Sequence, residues 1–221
     1  MLLRDKRSVL LLVRHGQAMF GTDDYDRLSA LGHDQSRRLG TVLAAQGVKP
    51  EAVLSGTMRR HRETAAGLLA GAGWEHGVGV DPAWDEFDRH ALPRDDPDGP
   101  STTDPRRFQA ALETGMRRWA EGEIRHGTGE PFADFRARTE NAVRTAVTDP
   151  SSGGPTVVVT SAGVIGWIVA DLLGGGVEQW IRLNRVCLNA SVTKIAFGRN
   201  GPYPVSFNDH GHLDPSDVTF R

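Results

Sequence analysis

Two stretches of this chain carry apolar residues with almost no interruption, VLLLV at residues 9–13 and TVVVT at 156–160. A strand with one wet face alternates apolar and polar positions. Runs that do not alternate read instead as strands covered on both faces, as in a parallel sheet between two helical layers. Between and after them the apolar spacing changes to that of helices. Leu31, Leu39, Val42 and Leu43 share one face of a helix that Ser29 is placed to cap, and Gly47 with Pro50 marks its end before a short strand at 52–55. A second helix is expected from about Thr57, with Met58, His61, Ala65, Leu68 and Leu69 inward, followed by a strand at 78–84.

The stretch AWDEFDRHALPRDDPDGPSTTDP is rich in Pro, Asp and Gly and predicts an irregular excursion, the start of a loop or cap insertion at about residues 87–131. Within and beyond it, Phe108, Ala111, Leu112, Met116 and Trp119 form one helical stripe, and Phe132, Phe135, Ala142, Val143, Ala146 and Val147 another. After TVVVT, the residues Gly163-Val164-Ile165 open an apolar helix that the glycines at 174–176 close, and two further strands are expected at 190–197 and 203–207. No repeat or long linker interrupts this order. The pattern predicts one domain over residues 1–221, a three-layer α/β/α sandwich with a mostly parallel central sheet and the insertion just described.

Composition narrows the function classes. A chain of 221 residues with 38% hydrophobic content can bury a sizeable core, and a formal net charge of −2 supplies no global basic field for nucleic acid or anionic lipid. Neither nucleic acid nor membrane is an expected partner. Arginine dominates the cations, since Lys6, Lys49 and Lys194 are the only lysines, and its planar fork suits phosphate and carboxylate. A lone Cys187 permits no internal disulfide, and the apolar N-terminal run is short for a signal segment or membrane span, so a cytoplasmic protein is expected.

The candidate chemistry gathers where strands end, the edge at which open α/β sheets bind ligands. Arg14-His15-Gly16 follows the first strand, Arg59, Arg60 and Arg62 crowd the start of a helix, and Ser161-Ala162-Gly163 follows TVVVT; Glu86 lies just past the strand expected at 78–84. Cations in a first helical turn oppose the macrodipole by about 0.3–1 kcal/mol each, a cost that a bound phosphate offsets. His15 among cations is expected to stay neutral, with a ring nitrogen free to act as nucleophile, and such a site suits phosphoryl transfer. The plainer readings are a solvated strand end, a solvated helix face, a core position for His61 and a surface position for Glu86. His210 and His212 have a metal-like spacing without supporting ligands, so no metal and no cofactor is expected.

Across nearly its whole length the chain resembles the histidine phosphatase superfamily, which includes the cofactor-dependent phosphoglycerate mutases. The resemblance rests on VRHGQA around His15, LSALGHDQS at 28–36, SGTMRRHRETA at 55–65, Glu86 in DEF, and TSAGVI at 160–165. It implies a nucleophile at His15 that becomes phosphohistidine, phosphate arginines at Arg14 and Arg60, and a proton donor and acceptor at Glu86. Gly16 and Gly163 are expected to add phosphate contacts. The implied ligands are a small phosphorylated substrate and inorganic phosphate; oligomeric state is left open.

There are two departures from the family pattern. Ala162 stands where the family places a second histidine, and Ala18 and Gly21 stand where many members have a hydroxyl residue and an asparagine. Losing one preorganised donor costs on the order of 10²–10³ in rate. Ala162 is compatible with a replacement group such as His210, His90 or the backbone at Gly163, with a pseudoenzyme, or with a substitution made by design. The leading expectation is a phosphomonoester hydrolase, with a phosphoglycerate-type mutase and a phospholigand-binding pseudophosphatase as alternatives. A serine hydrolase at Ser161 is remote, because the preceding glycine of a nucleophile elbow is missing.

Overall fold

The computed structural model describes residues 8–19, 24–93, 105–123, 129–146 and 154–220. Gly21 and Val147, singled out from sequence, lie outside them. Among the described residues one six-stranded sheet runs in the order β3-β2-β4-β1-β5-β6. Its strands are β1 (Val9–Arg14), β2 (Ala52–Ser55), β3 (Val78–Val80), β4 (Thr156–Thr160), β5 (Val192–Gly198) and β6 (Gly201–Asp209). The β1–β4, β4–β2 and β2–β3 pairs are parallel, whereas β5 is antiparallel to both β1 and β6. Only β5 therefore runs against the others.

The two unbroken apolar runs lie side by side at the centre, with Leu11 opposite Val157 and Val13 opposite Val159. Alternate side chains serve opposite faces. Leu11, Val13, Val157 and Val159 pack with Leu39, Leu43 and Leu68 from α1 (Ala30–Ala45) and α2 (Arg59–Ala72). Leu10, Leu12 and Val158 pack on the other face with α4 (Phe132–Thr145), α5 (Ala162–Leu172) and α6 (Val177–Val186), and α3 (Pro105–Ala120) adds Met116 and Trp119 to that layer. The three-layer expectation is met. Ser29 caps α1 by accepting from the Gly32 N–H at 3.0 Å.

Two sequence expectations shift, and one helix was not expected. The strand expected over 78–84 stops at Val80, because Pro82 cannot donate to a sheet ladder and the Asp81 carboxylate instead accepts from the Ala83 N–H at 2.8 Å, starting a 3₁₀ turn at Pro82–Trp84. That turn buries Trp84, whose carbonyl accepts from Thr160 Oγ1 at 2.6 Å, and so carries Asp85 and Glu86 over the end of β4. The second helix begins at Arg59 instead of Thr57, leaving Met58 as its cap. The helix α6 lacked a sequence expectation altogether, since the Gly174–Gly176 run reads as an end and only Trp180 and Ile181 of the helix are fully buried. Trp180 Nε1 donates to the Gly163 carbonyl at 2.8 Å and braces the start of α5.

Candidate active site

The β1 strand delivers Arg14 and His15 to the carboxyl edge of the sheet, where the His15 N–H extends the ladder to the Thr160 carbonyl at 2.9 Å. His15 is 4% exposed, and its Nδ1 lies 2.7 Å from the Gly16 carbonyl. A carbonyl can only accept, so Nδ1 carries the proton and Nε2 the lone pair. Burial, then the cations Arg60 and Arg14, hold the His15 pKa well below the usual 6.5, which keeps the ring neutral. Gly16 is required by close packing: a Cβ there would lie 2.4 Å from the Gly32 carbonyl of α1.

Of the three arginines at the start of α2, only Arg60 turns inward. It is 7% exposed, and its Nη1 donates to Asp26 Oδ1 at 2.6 Å. Arg59 points outward to Asp24 and Glu63, and Arg62 is exposed, so the solvated-face reading holds for both. Arg14 donates to the carbonyls of Cys187 and Phe220, a contact that brings the C-terminal segment back over the site. Both Arg14 Nε and Arg60 Nε are buried without a protein acceptor. Such orphan donors are costly in a protein interior unless a ligand satisfies them.

Glu86 follows the 3₁₀ turn and reaches the start of α5, where Oε2 accepts from the Gly163 N–H at 2.9 Å and Oε1 from the Phe87 N–H at 3.2 Å. Burial raises its pKa above the ordinary 4.5 despite these bonds and the nearby arginines. Glu86 therefore keeps its proton to a higher pH than an ordinary carboxyl group does. Gly163 has no room for a side chain, since a Cβ would meet Glu86 Oε1 at 2.2 Å. Gly16 and Gly163, expected to add phosphate contacts, both donate their N–H groups to side chains in this structure. The Gly163 N–H is committed to Glu86, and the Gly16 N–H to Thr64 Oγ1 at 3.0 Å.

Arg14, His15, Arg60, Glu86 and Ala162 line one cavity of about 1080 Å³. Phe108 and Leu112 of α3 form part of its apolar wall, and His90 lines it as well. His210 does not line it; that residue is exposed and turns Nδ1 toward the Asn208 carbonyl at 2.8 Å. Of the two histidines considered as replacements at Ala162, only His90 shares the cavity. Sequence reasoning missed Tyr25, whose ring lies under Arg89 and beside Arg60 at 4.2 and 5.5 Å from the guanidinium carbons. His61 is a core residue as expected, but its surroundings are polar: it lies 5.7 Å from His15 between ring centroids and 2.7 Å from Ser161 Oγ. These partners come from distant parts of the chain, and no local pattern marked them.

The chain belongs to the histidine phosphatase superfamily: the family model for branch 1 matches residues 10–210. It is 33% identical over 90 residues to a 2,3-bisphosphoglycerate-dependent phosphoglycerate mutase of Thermobifida fusca (strain YX). That match covers 38% of this chain and only 36% of the mutase. The structure is similar to mycobacterial hydrolase 1, with a TM-score of 0.67 and 26% identity over 91% of this chain and 98% of that one. It is also similar to a mycobacterial glucosyl-3-phosphoglycerate phosphatase solved with inorganic phosphate, with a TM-score of 0.65 and 26% identity over 94% of this chain and 100% of that one. No helix among the described residues is long and apolar enough to cross a membrane.

Proposed function

We propose that the protein is a phosphomonoester hydrolase that works through phosphorylated His15. The observation that carries this reading is the meeting, at one cavity, of a neutral imidazole, two guanidinium groups with unsatisfied buried N–H donors, and a carboxyl group whose pKa burial raises. Arg14 and Arg60 hold the phosphoryl oxygens. His15 Nε2 attacks phosphorus, the P–O bond to the alcohol breaks, and Glu86 gives its proton to the departing oxygen. Water then enters, Glu86 takes its proton, the P–N bond breaks, and orthophosphate leaves with His15 restored. The charge on the transferring group is stabilised by preorganised donors, the main source of catalysis in phosphoryl transfer.

The cavity sits at the upper end of the roughly 300–1,000 Å³ that small-molecule sites occupy, so the alcohol portion has room well beyond the phosphate itself. Ala162, which presents a methyl group where a donor is usual in the family, favours one competing reading: a protein that binds phosphorylated ligands without turning them over. Turnover of an aryl phosphate by the purified protein beside His15→Ala separates the two. Hydrolysis that vanishes in His15→Ala, with acid-labile phosphohistidine trapped in the parent, supports the hydrolase. Equal background in both proteins, with phosphate binding that depends on Arg60, assigns the binding role.

A further inference from the structure

We infer that His61 is a positioning residue: by holding the Ser161 hydroxyl, it keeps that hydroxyl away from the first N–H groups of α5 and reserves the Gly163 N–H for Glu86. The consequence for catalysis rests on the reading of Glu86 as the proton donor.

Ser161 is the N-cap of α5, with the extended backbone that position requires. A serine there ordinarily accepts a hydrogen bond from the N–H two or three residues on. Ser29 does so at the start of α1, accepting from Gly32 N–H. Ser161 makes no such bond. Its Oγ lies 2.7 Å from His61 Nε2, and both residues are buried, at 1% and 0% exposure. The N–H two residues on belongs to Gly163, and it is donated to Glu86 Oε2 at 2.9 Å. Glu86 therefore caps α5 from outside, at the place the helix's own serine would normally fill.

His61 lies in the first turn of α2, and its buried Nδ1 has no hydrogen-bond partner among the described residues, with Asp85 Oδ1 a charged neighbour at 3.7 Å. Asp85 is fixed in turn by the Thr57 N–H at 2.6 Å and the Thr57 hydroxyl at 2.5 Å. Gly56 leaves the room required, since a Cβ there would lie 2.3 Å from His61 Nδ1 and 2.5 Å from Asp85 Oδ1. The charged and titratable groups acting on the ring are Asp85, Arg60, Asp26 and His15, and burial keeps it on the neutral side of its usual range. Asp85, His61 and Ser161 occur in the order of a hydrolytic triad. The serine hydroxyl, however, is buried and does not line the cavity, so its role is to be held.

The test compares kcat on an alkyl phosphate, whose poor leaving group needs a proton, with kcat on a nitrophenyl phosphate, which does not. Glu86→Gln calibrates the assay and should lower the alkyl-to-aryl ratio by about 10² or more. His61→Leu should lower the same ratio at least about tenfold, because the released Ser161 hydroxyl competes for the Gly163 N–H. Ser161→Ala should keep a ratio close to the parent's while losing thermal stability, and His61→Leu combined with Ser161→Ala should recover the ratio. An unchanged ratio in His61→Leu overturns the inference, as does a double variant no better than His61→Leu. If His61→Leu fails to fold, Ser161→Ala decides: a ratio that falls there marks the contact as simple structural glue. A Glu86→Gln ratio equal to the parent's would instead remove Glu86 from the chemistry. A crystal structure of His61→Leu then still reads the inference directly, supporting it if Ser161 Oγ has moved onto the α5 N–H groups and overturning it if Glu86 keeps the Gly163 N–H.

Discussion

Gly163→Ala is the smallest change that reaches the proposed proton donor without touching it. The added methyl carbon would lie 2.2 Å from Glu86 Oε1 and 2.5 Å from the Phe87 ring, where ordinary contact begins near 3.4 Å. The carboxyl group must therefore retreat by more than an ångström and give up the 2.9 Å bond from the Gly163 N–H. Alanine gains roughly 0.8–1 kcal/mol over glycine in a helix, and overpacking typically costs about 1–3 kcal/mol, so the net effect on folding should stay within about 2 kcal/mol. Misplacing a general acid, by contrast, forfeits much of the about 10²–10⁴ in rate that such a group contributes. Thermal melting and steady-state kinetics on an alkyl phosphate separate the two effects. The expected result is a small shift in Tm with kcat lower by at least about 10². A Gly163→Ala protein that folds normally and hydrolyses alkyl phosphates at the parent rate would refute the role given to Glu86.

Ala162→His places a donor on the wall of the cavity and should raise kcat, by at most the factor of about 10²–10³ that one such donor supplies; a lower kcat would show that the wall has no space for it. The pH profile of kcat/KM should have its acid limb well below 6.5, because His15 must be neutral and its pKa is depressed, and its alkaline limb above 4.5, because Glu86 must be protonated and its pKa is raised. Glu86→Gln should remove the alkaline limb and leave the acid one. Arg60→Ala should weaken phosphate binding by about tenfold or more, the equivalent of losing one charge-assisted hydrogen bond, whereas Arg59→Ala should leave it unchanged; titration calorimetry with inorganic phosphate reads both.

The sequence by itself determined the layers and the edge where chemistry gathers. Unbroken apolar runs at β1 and β4 can only be strands covered on both sides, and the helical stripes of α1 and α2 supply one of the covers. These are local patterns, set by side-chain periodicity of neighbouring residues. His15 and Arg60 were also legible, because one stands at a strand end and the other at a helix start that periodicity marks, and the family resemblance chose Arg60 over Arg59 and pointed to Glu86.

Tertiary structure decided what those local patterns do not encode. Pro82 ended β3 early, yet only the bond from Thr160 to the Trp84 carbonyl shows where the following Glu86 is carried. The N–H groups of Gly16 and Gly163 looked available in sequence and proved to be committed to Thr64 and Glu86, partners 48 and 77 residues away. His61 was legible as buried, but not as the holder of a serine 100 residues further along the chain. Burial follows from the pattern of a single element, whereas the partner of a buried polar atom depends on which elements the fold brings against it, and that is settled only when the whole chain closes around the site.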